Sequence, residues 1–168
     1  GAPIDTAPNA LFRRATDDFV THHLGKRPLD VGADRIARTA HRALALLGEL
    51  RARTGLDLPL AWHPGPLKAT SAIEVYPAAT LVARGLLSTG YKGADGVPRR
   101  GELVSALRRE LTFTEDQAEA MRRSDHVLDA ALCCLAAGDF LRGDVLLPTD
   151  RLRAEREGWI WVRGPSGA

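Results

Sequence analysis

One apolar run with a single acid inside it constrains this chain more than any other feature: Val127-Leu128-Asp129-Ala130-Ala131-Leu132-Cys133-Cys134-Leu135. From Val127 to Ala137 the residues are apolar on nearly every face of a helix, so that helix must be packed on several sides. Ser124 stands where an N-cap would, which gives a helix from Asp125 to about Leu141. A lone carboxylate in such a run is costly to bury unless it meets a cation, a metal ion or water. An ion pair with one of the chain's many arginines meets that demand as well as a metal does, and both readings stand. Asp125 lies one helical turn earlier and projects from the same face, where two acids repel unless something positive sits between them. An acid in a first turn also stabilises the helix dipole without any further role. His126, three residues before Asp129, is within reach of a hydrogen bond to it.

At 168 residues the chain has the length of one domain, read here as residues 1–163 with a flexible tail over 164–168. Hydrophobic residues make up 45% and charged residues 26%, while aromatics are only 5%, so the core must come mainly from Leu, Ala, Val and Ile. Lys and Arg number 23 against 21 for Asp and Glu, which excludes a protein that coats nucleic acid by bulk charge but leaves room for a local basic face. There is no run of membrane-spanning length, so no membrane partner is expected. The opening Gly1-Ala2-Pro3-Ile4-Asp5 is not a secretory signal and lacks an initiator Met, as expected of a trimmed chain or of a piece with upstream sequence missing. Adjacent Cys133 and Cys134 cannot easily bridge each other on a helix, and no zinc-ligand spacing occurs, so reduced, buried thiols in a cytoplasmic protein are expected.

Between Gly32 and Thr54, Ile36, Ala40, Ala43, Leu44, Leu47 and Leu50 follow helical spacing, with arginines on the other side. Ile73 and Val75 alternate with Glu74 and Tyr76, which suits a strand. Pro77 then opens a helix over Ala78 to Leu87. Tyr91 to Gly96 reads as a loop, and Glu102 to Leu111 as a short helix with Leu103, Leu107 and Leu111 inward. Thr114 to Gln117 has the form of a capping box. Gly158-Trp159-Ile160-Trp161-Val162 reads as a terminal strand. The order is α/β with few strands.

Glu74 would sit at the carboxyl end of its strand, where open α/β sheets place ligands. A solvent-facing position is the plain alternative. Asp5, after Ile4, is a second candidate strand-end acid. Together Asp5, Glu74, Asp125 and Asp129 are the raw material of a hard divalent-cation site. Basic pairs occur at Arg13-Arg14, Lys26-Arg27, Arg99-Arg100, Arg108-Arg109 and Arg122-Arg123. Phosphate binding is one use for them, and a solvated surface is the ordinary one. No GxSxG, P-loop, GxGxxG or HExxH pattern is present.

Ile4-Asp5, Arg13-Arg14-Ala15-Thr16-Asp17, Glu74-Val75-Tyr76-Pro77-Ala78, Tyr91-Lys92-Gly93, Asp125-His126-Val127-Leu128-Asp129-Ala130 and Glu157-Gly158-Trp159-Ile160 occur in one order. The chain thereby resembles the predicted nucleases of domain-of-unknown-function family 429, which have an RNase H-like fold. The resemblance implies a sheet flanked by helices and a cluster of acids binding Mg²⁺ or Mn²⁺. Asp5, Glu74 and Asp129 would be metal ligands with Asp125 as a catalytic neighbour, and Arg14 and Lys92 would contact substrate. Family members usually carry an earlier strand Asp, and almost nothing precedes Ile4, so the opening β-hairpin is expected to be absent. The expected function is therefore a divalent-metal-dependent nuclease or phosphodiesterase. The alternative is a non-catalytic module of the same fold that recognises nucleic acid, a nucleotide or a protein. An open sheet edge would invite a homodimer or another partner that completes the sheet.

Overall fold

Helix signals decide this fold. The computed structural model describes residues 13–29 and 34–164, the side chains of 34–37 excepted. Among them are α1 (Ala15–Leu24), α2 (Asp34–Thr54), α3 (Pro77–Val82), α4 (Val97–Leu107), α5 (Glu115–Arg123), α6 (Asp125–Arg142) and α7 (Arg151–Glu157). Asp5 and all of the expected tail but Gly164 lie outside the described residues. The chain forms two units, one from residues 1–63, 67–74 and 148–160, the other from 64–66, 75–147 and 161–168.

The expected RNase H-like sheet is not present among the described residues. Pairing is confined to two isolated parallel bridges, Leu60 with Ala72 and Glu74 with Ile160. The two segments read as strands do meet, but at a single bridge. A two-stranded pairing is marginal in water, and no third described strand extends it, so helix packing builds the cores instead.

In the first unit α1 packs on α7. Buried Val20, Ala154, Trp159 and Ile160 contribute its apolar interior, with the Phe19 ring 4.8 Å from that of Trp159. Thr16, also buried, accepts a 2.9 Å hydrogen bond at its hydroxyl from the Ile160 amide. The second unit is centred on α6, which packs on α3, α4 and α5. Leu81, Tyr91, Leu103, Val104, Leu107, Met121, Leu128, Leu132 and Leu135 form its continuous core.

Several local expectations hold. The Thr114 hydroxyl accepts from the Gln117 amide at 3.3 Å, while the Gln117 side chain accepts from the Thr114 amide at 2.8 Å. The Ser124 hydroxyl accepts from the Val127 amide at 3.4 Å, which starts α6. Others are corrected. α3 ends at Val82, short of Leu87, because the chain turns at Gly85 in a left-handed conformation. α6 is buried on most sides but leaves Val127, Ala130 and Cys134 exposed, and Cys133 is only half-buried, so neither of the two free thiols is buried as expected. α2 forms where the spacing between Gly32 and Thr54 predicts it, and from Arg38 to Thr54 every side chain is exposed except that of Leu47, which is half-buried.

Candidate functional site

The motif residues gather at two places, one in each unit. In the first unit the hub is Arg14. Its guanidinium donates to both oxygens of Asp17, at 3.2 and 3.4 Å, and it holds both oxygens of Glu74, at 2.8 and 2.9 Å. Asp17 in turn accepts from the Arg14 amide at 3.0 Å, so an Arg–Asp pair caps α1 where Ser or Thr would usually stand. Glu157 completes the cap by accepting from the Ala15 amide at 2.7 Å. That amide, then Arg153, hold the Glu157 carboxyl below the usual carboxylate range. Three segments far apart in sequence thus meet at the first turn of one helix. Gly158 belongs to the same hub, because a Cβ there would stand 2.8 Å from Glu74 Oε2 and 3.0 Å from Arg14 Nη1.

In the second unit the Tyr91-Lys92-Gly93 loop lies on the first turns of α6. Asp129 accepts from the Tyr91 hydroxyl at 3.0 Å through Oδ1 and pairs with Lys92 through Oδ2. The Lys92 ammonium also lies 4.8 Å from the centroid of the Tyr91 ring. Asp125 accepts from the Gly93 amide at 3.1 Å. Burial, then the Asp129 carboxylate, push the Tyr91 hydroxyl well above its usual range. Tyr91 is therefore a fixed donor and not a base. His126 is turned outward and approaches Asp125 only at 3.9 Å, so the hydrogen bond anticipated to Asp129 is not formed.

Beneath this loop is Arg100, 2% exposed, which the sequence offered only as half of a surface pair. It donates to the carbonyls of Tyr91 at 2.7 Å, Gly93 at 2.8 Å and Arg122 at 2.6 Å. One guanidinium thereby ties the loop to the last turn of α5, whose dipole favours a cation there. Gly96 allows the close approach, since a Cβ would fall 2.4 Å from the Tyr91 carbonyl.

The Gly93 amide, the largest influence on Asp125, holds its carboxyl below the usual carboxylate range. The sign follows from linkage: a carboxyl more acidic when folded than when unfolded adds stability above its unfolded pKa of about 4, and loses it as pH falls through the lower folded value. Wild type is therefore expected to be more stable than Asp125→Asn at pH 7, with the gap closing below about pH 4. Urea unfolding across pH 2–7 measures this, and a gap that stays constant with pH would contradict it.

Of the anticipated metal ligands, Glu74 and Asp129 are engaged by side chains of the chain itself, and Asp5 lies outside the described residues. Both oxygens of Glu74 are held by Arg14, and both oxygens of Asp129 by Tyr91 and Lys92. Among the described residues no three His, Cys, Asp or Glu side chains are grouped to hold an ion. Arg14, expected at the substrate, is engaged by Asp17 and Glu74, whereas the Lys92 side chain keeps 53% of its surface exposed. Among the described residues no helix is long and apolar enough to cross a membrane.

Comparison with curated proteins and with solved structures gave no match. A family model does match, over residues 1–153, a span that includes the Asp125–Asp129 cluster and, of the other, Arg14, Asp17 and Glu74 but not Glu157 or Gly158, and by that match the chain belongs to the family described as protein of unknown function, DUF429.

Proposed function

We propose that this chain is a binding module for a phosphate-bearing ligand, nucleic acid or nucleotide, and not a self-contained hydrolase. The observation that carries this reading is the state of Asp129, whose two oxygens are both taken by internal donors. A carboxylate used in this way holds a loop in place. What it holds there is Lys92, whose side chain is half exposed and whose ammonium, paired with Asp129, is of a kind suited to a phosphate. Arg123 and His126, also exposed, lie within a few residues of the same start of α6 and bring further donors to that rim. The positive end of the α6 dipole adds to the attraction.

Fluorescence anisotropy with labelled single-stranded and duplex DNA and RNA, in the presence of EDTA, is the direct test. Binding is expected to weaken with rising salt, and Lys92→Ala is expected to reduce the salt slope by about one contact. Absence of salt-dependent binding to every oligonucleotide would remove the nucleic-acid reading.

The spacing of Asp125 and Asp129 on one face of α6 favours metal-dependent phosphodiester hydrolysis as the second reading, in which the ammonium of Lys92 would yield its place to Mg²⁺ or Mn²⁺. Under it, Mn²⁺ binding seen by calorimetry and cleavage of an oligonucleotide would both be lost in Asp129→Asn. That pair of results would overturn the binding-module proposal.

A further inference from the structure

The two oxygens of Asp129 have separate roles. Oδ1 accepts from the Tyr91 hydroxyl at 3.0 Å and so helps to seat the loop, because the Tyr91 ring is part of the core of the second unit. Oδ2 pairs instead with the ammonium of Lys92, the one cation of the Tyr91-Lys92-Gly93 loop. The loop has other ties that do not pass through this pair. Arg100 donates to the carbonyls of Tyr91 and Gly93, and Asp125 takes the Gly93 amide at 3.1 Å. The Oδ2 contact thus adds little to placing the loop, yet it engages the group best suited to a ligand. A carboxylate and a phosphate offer an ammonium the same chemistry, an anionic oxygen at hydrogen-bond distance. Both side chains of the pair reach solvent, Lys92 being 53% and Asp129 24% exposed, so a dissolved anion can compete for the contact. Asp125 and Asp129 also set two negative charges against the single charge of Lys92, and an incoming phosphate is repelled by both.

We infer that Asp129 is a built-in competitor for the phosphate site: its Oδ2 occupies the place at Lys92 that a ligand phosphate takes, so that binding requires the pair to open. The inference rests on the binding-module reading given above. The apparent affinity is then the affinity of the open form scaled by the fraction of molecules that are open. An ion pair this exposed is worth little, so the open form stays populated and the competitor lowers affinity without abolishing it. Competition and simple support predict opposite signs. If the pair only steadied Lys92, removing the Oδ2 charge would weaken binding, whereas a competitor's removal strengthens it. Asn at position 129 separates the two roles. Its carbonyl oxygen can accept from Tyr91 as Oδ1 does, while its amide group is a donor and offers nothing to an ammonium. Asp129→Asn therefore keeps the seat of the loop, releases Lys92 and removes one repelling charge.

Fluorescence anisotropy of the full chain with labelled oligonucleotides, in EDTA to exclude metal-dependent cleavage, is the test. At low salt Asp129→Asn is expected to bind roughly five- to thirtyfold more tightly than wild type. In a Lys92→Ala background the same substitution is expected to gain about threefold or less, because only the removed repulsion remains. Asp129→Ala, which also gives up the Tyr91 contact but leaves Arg100 and Asp125 on the loop, is expected to gain about threefold or more. Tyr91→Phe keeps the Lys92 pair and is expected to bring no gain. Near-ultraviolet circular dichroism matching that of wild type identifies the folded variants. No gain in Asp129→Asn or Asp129→Ala, beside a wild type that binds, overturns the inference and leaves the binding-module reading standing. A gain of equal size with and without Lys92 also overturns it, in favour of charge repulsion alone. Absence of binding by wild type and by every variant overturns both the inference and the reading beneath it.

Discussion

Replacing Asp139 with Ala is expected to cost about 3–5 kcal/mol of stability, the largest loss from a single acid in the second unit. Asp139 is 1% exposed on α6 and accepts from Arg84 at 2.8 Å and from Arg142 at 2.6 Å. The Arg84 side chain is itself almost entirely buried and also holds both oxygens of Glu110, at 3.0 and 3.1 Å. Removing Asp139 leaves a buried guanidinium with one of its two acids, and desolvation then works against the fold. Arg142 adds less, because its own side chain is more than half exposed. Urea unfolding at neutral pH measures the change, and a loss below about 1 kcal/mol would mean that Glu110 alone neutralises Arg84.

The second large effect is expected at Arg100. Arg100→Met keeps much of the volume but removes every donor, leaving the carbonyls of Tyr91, Gly93 and Arg122 without this partner in a closed interior. At about 1–3 kcal/mol for each buried acceptor left unsatisfied, the total is about 3 kcal/mol or more. The same change frees the loop that presents Lys92. Oligonucleotide affinity should therefore fall in Arg100→Met even under conditions where the chain remains folded, as near-ultraviolet circular dichroism would report. Unchanged affinity in a folded Arg100→Met chain would show that the loop is held by Asp125 and Asp129 alone.

Much of the local structure was legible. The capping box at Thr114, the Ser124 cap and the course of α6 follow from short-range hydrogen-bonding rules that depend on few neighbours. α1 was missed because its N-cap is Arg14, not a small polar residue, and works through Asp17 and the distant Glu157. α7 carries a readable signal, since Asp150 caps it and Arg151–Glu155 and Arg153–Glu157 are paired one turn apart. The sheet failed for a different reason. Alternating residues at 73–76 and 158–162 specify extended backbone, but a ladder also needs neighbours that local pattern cannot supply.

The candidate site was half legible. That Asp129 must meet a cation, a metal ion or water followed from the cost of an isolated acid, and the structure sets Lys92 beside it. Tyr91 as the second donor, and Arg100 beneath the loop, were not readable, because both act through contacts that cross from one element to another. Asp139 lies in the same apolar helix and poses the same problem as Asp129 in deeper burial.

The Arg14 hub also bears on how the chain comes to be built. Ala15 and Glu157, joined there by a single hydrogen bond, are 142 residues apart, and Glu74 is 60 residues from Arg14. During synthesis the first helix emerges long before the residues that cap it, and closing so wide a loop is slow. The interval between those events is filled by residues 75–147, most of the second unit, whose core is drawn from residues 81–135. A break anywhere between α1 and α7 leaves the hub's two halves without a covalent tether, and its assembly then depends on concentration.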